Sequence, residues 1–188
     1  MKVIQLHHKN NTSLIKKAAK GKRDAQHTLF EIHAPKMLSV CRYYIKDMQD
    51  AESVMLNGFF KAFINLKNFK NEGSFEGWLR RIMVRESISF LRQKKHVEFS
   101  VENEYYHQEH YNNIESQIEV AQIQQIIDEL PEGYKMVFVM YAIEGYKHKE
   151  IAEILNISQG TSKSQLFKAR QMLQKKIKDI NTTSYGSN

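Results

Sequence analysis

Lys163, Ser164, Phe167 and Lys168 recur at steps of one, three and four residues. In a helix they share one face and present two cations, a hydroxyl and an aromatic ring. The chemistry open to such a face is non-covalent: phosphate neutralisation and contact with base edges in a DNA major groove. On the other side of the same segment Leu166, Ala169, Met172, Leu173 and Ile177 repeat at helical spacing. The pattern predicts a helix from about Gln159 to Lys178. Before it, Lys149 to Leu155 carries Ile151, Ala152, Ile154 and Leu155, an apolar stripe suited to a short helix. Asn156-Ile157-Ser158 separates the two. Asn tolerates a left-handed backbone, and the Ser158 hydroxyl can cap the next helix. A short helix, a tight turn and a longer helix with a basic outer face form a helix-turn-helix. A plain helical hairpin explains the stripe and the turn, but not cations confined to the outward surface of the second helix.

A second basic constellation lies earlier. Ser74 is placed to cap a helix with Phe75, Trp78, Leu79, Ile82, Met83 and Phe90 on a core-facing side, although Glu86 and Ser89 also fall there. At about 100° per residue, Arg81, Arg85 and Arg92 project in nearly one direction with Trp78 at the edge of the row. Such a row, continued by Lys94 and Lys95, suits a surface that tracks a nucleic-acid strand. Trp78 by itself reads as core. Other chemistry finds little support. His7 and His8 stand in the N-terminal segment, and His107 and His110 in a stretch without cysteine, so no spacing resembles a closed zinc site. No phosphate-cradling glycine loop or nucleophile elbow occurs, and no cofactor, metal or small-molecule substrate is expected.

The elements that must position these faces are helical. Of 188 residues only two are Pro and eight Gly, and 41% are apolar, which suits packed helical cores. No apolar run reaches membrane-spanning length, and the first residues lack the apolar core of a secretion signal. No membrane insertion is expected. A single cysteine, Cys41, fits a reducing cytoplasm and reads as a small buried hydrophobe. The net charge of +7 is unevenly spread. Residues 12–95 hold 17 basic and 8 acidic side chains, 96–119 hold six Glu and no Lys or Arg, and 120–188 hold nine basic and seven acidic. Two basic portions therefore flank an acidic connector, and basic surfaces attract nucleic acid. The expected organisation is all-α, with domains at 1–95 and 118–188 and a linker at 96–117.

Within the first domain, a helix interrupted near Gly21 is predicted to run to about His33, with a new one starting at Pro35 and ending near Tyr44. Ala51, Val54, Met55, Gly58, Phe59, Ala62, Phe63 and Leu66 form one strip of a long helix. Phe60 and Ile64 lie about opposite, with Ser53 and Asn57, and suggest either scattered surface apolars or a protein-docking face. Residues 67–73 read as a loop. In the second domain Ile118, Ile123, Ile126, Ile127 and Leu130 resume the period. Pro131 opens the next helix, and Gly145 stands where a terminating glycine belongs. The final NTTSYGSN reads as frayed.

Two basic helical modules around an acidic linker resemble a bacterial RNA polymerase sigma factor. More narrowly the chain resembles the extracytoplasmic-function (ECF) group of the sigma-70 family, through residues 49–63 with 73–95 and through residues 130–173. The resemblance implies a subunit that performs no catalysis, directs core polymerase to promoters, and initiates transcription by recognising the −35 element and melting the −10 element. It implies contact with the largest catalytic subunit through the helix holding Asp50, Ala51, Glu52, Val54, Phe59 and Ala62, to which the off-strip Phe60 and Ile64 are added here. It implies a pocket for a flipped −10 base at residues 68–73, including Asn68, Phe69, Lys70 and Asn71, beside Trp78, Arg80, Arg81, Arg85 and Arg92. It implies −35 reading by Thr161, Lys163, Ser164, Phe167, Lys168 and Arg170. Arg85 and Ser89 depart from the family's frequent Asn and Asp, and Ser162 and Gln165 from its frequent Val and Arg. These departures bear on promoter sequence, and those at Ser162 and Gln165 loosen the expected packing of the recognition helix and remove one phosphate contact. The rival readings are a ligand-responsive dimeric helix-turn-helix regulator and a helical nuclease. Control by an anti-sigma factor, a membrane signal or expression level is left open.

Overall fold

The computed structural model describes the backbone at residues 12–70, 73–98 and 120–185, and side chains at 12–70, 73–94 and 122–180. All regular elements among these residues are helices, and they fall into two compact units, Met1–Gln93 and Lys94–Asn188.

In the first unit α1 (12–19) stops where Gly21 takes φ +78 and its N–H donates to the Ala18 carbonyl at 2.9 Å. The next helix, α2 (Arg23–Tyr44), runs through Pro35 instead of restarting there. Proline removes one ladder donor. Both Pro35 and Glu31, whose carbonyl loses its partner, face solvent. The buried stripe Leu29, His33, Met37, Val40, Cys41 and Tyr44 continues unbroken across the proline, and its burial outweighs the single lost bond. Next, α3 (Met48–Asn65) is capped by Asp47, whose carboxylate accepts from the Asp50 N–H. Its inner strip is Ala51, Val54, Met55, Gly58, Phe59 and Ala62. A Cβ at Gly58 would collide with the Met83 thioether, so the missing side chain lets α3 approach α4 (Phe75–Glu98) closely.

In α4 the buried positions are Phe75, Leu79, Met83, Val84, Ser87 and Ile88. The seam is rotated from the predicted one: Trp78, Ile82 and Phe90 are half-buried and Ser89 is exposed. Glu86 is no misfit, because it meets Lys61 at 2.7 Å. Cys41 is buried against Ser87, and desolvation pushes its thiol up to about 11, which makes it inert at neutral pH.

In the second unit α5 (Val120–Asp128) leads to α6 (Glu132–Phe138), which Pro131 precedes, and α6 widens into a π-helical turn at Val139–Ile143. Gly145 ends it at φ +77. Then follow α7 (His148–Leu155) and α8 (Gln159–Tyr185). The last helix outruns its expected end at Lys178, since no Gly or Pro interrupts it before Gly186. Ile126, Leu130, Ala169 and Leu173 form a core with Tyr134, Phe138 and Met172 against it, while Ile123 is exposed. The acidic stretch 96–117 is helical through Glu98. Its remainder, His107 and His110, Ile118, and the N-terminal His7 and His8 lie outside the described residues.

One buried ion pair has no apolar signature. Lys135 on α6 meets Asp128 at the end of α5 at 2.5 Å, with side chains 7% and 4% exposed. Lys135→Met should destabilise the protein by about 3–5 kcal/mol, because the Asp128 carboxylate stays buried without its cation. Lys135→Met combined with Asp128→Leu should recover most of that loss in denaturant unfolding.

His33 offers a second test. Burial lowers its pKa, Glu76 raises it and Lys36 lowers it, and the ring lies edge-on to Phe75 at 5.2 Å. The unfolded chain takes up the proton near the ordinary value of about 6.5, before the folded protein does. Stability should therefore be full above that pH and fall as pH drops below it. Thermal unfolding between pH 7.5 and 5 should show this slope, and His33→Phe should flatten it.

Candidate nucleic-acid interface

The helix-turn-helix is built by local hydrogen bonds. The Lys147 N–H donates to Glu150 Oε2 at 2.8 Å and opens α7. Asn156 is left-handed at φ 55 and ψ 50, and the Ile157 N–H after it donates to the Ala152 carbonyl. Ser158 Oγ accepts from the Thr161 N–H at 2.9 Å and also pairs with the Thr161 hydroxyl. Both expected devices of the turn are thus present.

On α8, Leu166, Ala169 and Leu173 are buried, whereas Lys163, Ser164, Phe167, Lys168 and Arg170 are exposed. Phe167 is 62% exposed, an apolar ring on an otherwise polar face. Such a ring can contact a thymine methyl, and the cations can meet phosphates. Thr161 is half-buried, with its hydroxyl occupied by Ser158.

Ser162, expected to loosen this packing, is fully buried and bonded instead: its hydroxyl lies 2.9 Å from His148 Nδ1 at the start of α7. The His148 ring stacks on Tyr141 with centroids 4.7 Å apart and planes at 24°. The Arg170 guanidinium lies 5.6 Å over the Tyr141 ring. The His148 pKa is lowered by desolvation, with Lys163 and Arg170 adding repulsion, which favours the neutral ring. Neither His148 nor Tyr141 carries a readable signal in the sequence, because their partners on α8 lie 14 and 29 positions away.

In the first unit Asn68 ends a 3-10 turn (Leu66–Asn68) and is exposed, as is Lys70; Asn71 lies outside the described residues. Phe69 is half-buried against Trp78 at 5.3 Å and Phe75 at 5.7 Å, and Phe75 and Trp78 are 5.7 Å apart. This aromatic group anchors the loop to the first turn of α4. Arg81, Arg85 and Arg92 are exposed on α4, while Arg80 is half-buried outside their row.

On α3, Phe60 is 66% and Ile64 61% exposed, and Glu52 is exposed beside a half-buried Asp50. Leu56, one turn before Phe60 and 53% exposed, belongs to the same face and was not expected there. Val54 and Phe59 do not: they are 3% and 2% exposed and hold α3 to its own domain, as Ala51 and Ala62 do. Any partner on α3 meets the opposite face.

A family profile described as Sigma-70 region 2 matches residues 29–97, and one described as Sigma-70, region 4 matches residues 121–173. The chain belongs to the sigma-70 family. Among curated relatives of this sigma factor, the ECF RNA polymerase sigma factor SigW of Bacillus subtilis is 29% identical over 88% of this chain and 96% of its own length. The RNA polymerase sigma-H factor of Pseudomonas aeruginosa is 26% identical over 89% of this chain and 93% of its own. In fold it is similar to the sigma factor RpoE solved with the anti-sigma factor NepR from Bartonella quintana (TM-score 0.55, 19% identity, 81% of this chain and 96% of that one). It is likewise similar to CnrH solved with the cytosolic domain of CnrY (TM-score 0.52, 21% identity, 88% and 96%). These relatives place it in the ECF group of sigma factors, non-catalytic subunits that direct transcription initiation, and not among ligand-responsive regulators or nucleases. No helix among the described residues is long and apolar enough to cross a membrane.

Proposed function

We propose that the sites of this ECF sigma factor divide as follows. The face of α8 formed by Lys163, Ser164, Phe167 and Lys168, with Thr161 and Arg170 at its margins, reads the −35 element. The loop at 68–73, anchored by Phe69 and Trp78 and flanked by Arg80, Arg81, Arg85 and Arg92, captures the melted −10 strand. The outward face of α3, with Leu56, Phe60 and Ile64 and the acids Asp50 and Glu52, docks on the largest catalytic subunit of core polymerase. Domains at 1–95 and 118–188, joined by the acidic stretch 96–117, would let the two DNA contacts span the promoter. The observation that carries this reading is the exposed Lys-Ser-Phe-Lys face of a helix that follows a left-handed, Ser-capped turn. Opening a duplex costs a few kcal/mol of unstacking, which a captured base offsets in part. Work on core polymerase puts the protein in the cytoplasm. An anti-sigma factor is a fitting regulator, since a similar fold has been solved with such a partner.

The test is reconstitution of the full chain with core polymerase on a promoter selected from a library randomised at the −35 element. Lys163→Ala with Lys168→Ala should weaken initiation, reduce the salt slope of promoter binding by about 2, one per phosphate contact, and leave core binding intact. Phe60→Asp with Ile64→Asp should weaken core binding at least about tenfold without unfolding the chain, because both side chains are exposed. An operator-binding dimer with no affinity for core polymerase would overturn the assignment.

A further inference from the structure

The −35 assignment leaves unexplained a chain of side chains joining three elements of the second unit. Ser162 and Arg170 are eight positions apart on α8, about 12 Å along its axis. Both are engaged by one stacked ring pair: His148 Nδ1 pairs with the Ser162 hydroxyl, and Tyr141 lies under the Arg170 guanidinium. The rings stack on each other, so the two attachments are mechanically one. We infer that His148 and Tyr141 are positioning residues for upstream promoter recognition, setting the pitch of α8 in the groove and the aim of Arg170. The inference rests on the reading of α8 as the −35 helix.

Three observations carry it. Ser162 is fully buried, so its hydroxyl needs a partner, and His148 Nδ1 provides one at 2.9 Å. Tyr141 lies within the π-helical turn Val139–Ile143 while Val139 and Met140 beside it are fully buried. The turn is therefore rigidly seated in the core as it carries the ring to α8. Arg170 is exposed and long, and without a platform its guanidinium would sample many rotamers; the cation–π contact restricts it on the same helix as Lys163. Desolvation, with the neighbouring Lys163 and Arg170, lowers the His148 pKa and so favours the neutral ring in this stack.

The experiment uses holoenzyme made from the full chain, and measures occupancy of two promoters: one selected by the wild-type holoenzyme, and the same promoter with its −35 element replaced. His148→Phe keeps the stack and removes the hydrogen bond. Tyr141→Leu removes the stack and the cation–π platform. Each should lower occupancy of the selected promoter about tenfold, leave the −35-replaced promoter unchanged, and leave the maximal initiation rate at saturating holoenzyme unchanged. In an Arg170→Ala background, Tyr141→Leu should cost clearly less than it does alone. His148→Asn, which restores a hydrogen-bonding group toward Ser162, should recover part of the loss seen with His148→Phe. Equal losses on both promoters, or full additivity of Tyr141→Leu with Arg170→Ala, overturn the inference. Lys163→Ala with Lys168→Ala is run alongside. If that variant loses −35 dependence and the Tyr141 and His148 variants do not, positioning is wrong and the reading of α8 stands. If none loses it, the reading of α8 falls and the inference with it.

Discussion

Burial of the inner face of α8 is the constraint on which its exposed basic face depends. Ala169 and Leu173 seat the helix against Ile126 and Leu130, Leu166 is buried on the same side, and that seating turns Lys163, Phe167 and Lys168 outward. A helix of this composition is hydrophilic on balance and would have little reason to hold one orientation without that seam. The left-handed Asn156 and the Ser158 cap then set where α8 begins, so that the basic face starts within its first turns. Exposure of Phe167 follows from the same geometry, because the core side of the helix is already filled.

The first unit obeys a similar logic with different means. Close approach of α3 and α4 at Gly58 and Met83 buries one side of each helix. The opposite side of α3 carries Leu56, Phe60 and Ile64, and the outer side of α4 carries Arg81, Arg85 and Arg92. Three apolar side chains in water on one helix face are a cost that a partner surface would remove. The Phe69–Phe75–Trp78 group ties Phe69 to the first turn of α4.

Sequence reading succeeded where a property repeats along the chain or depends on one residue's backbone preference. The strip on α3, the turn at Asn156, the terminating Gly145 and the outward Phe60 and Ile64 are of this kind. It failed where the deciding contact joins distant positions. Pro35 looked like a helix start because its missing N–H is local, whereas the buried stripe that carries α2 across it is a property of the whole helix. Val54 and Phe59 are a different case: the family resemblance puts them on a docking face, whereas their own periodicity puts them on the strip that is buried. Ser162 looked like a packing defect because its partner, His148, lies 14 residues earlier on another helix.

By itself the sequence determined the all-α class, the two basic portions around an acidic stretch, the helix-turn-helix and the family. The first three follow from composition, period or local backbone chemistry, which every residue carries with it; the family follows from the resemblance of residues 49–63, 73–95 and 130–173. Only the tertiary structure decided which side of α4 is core, that Lys135 is buried with Asp128, and that Tyr141 and His148 join Ser162 to Arg170. Those features depend on how helices are rotated against one another, and a rotation of a few tens of degrees exchanges a buried polar pair for a solvated one without altering the hydrophobic period.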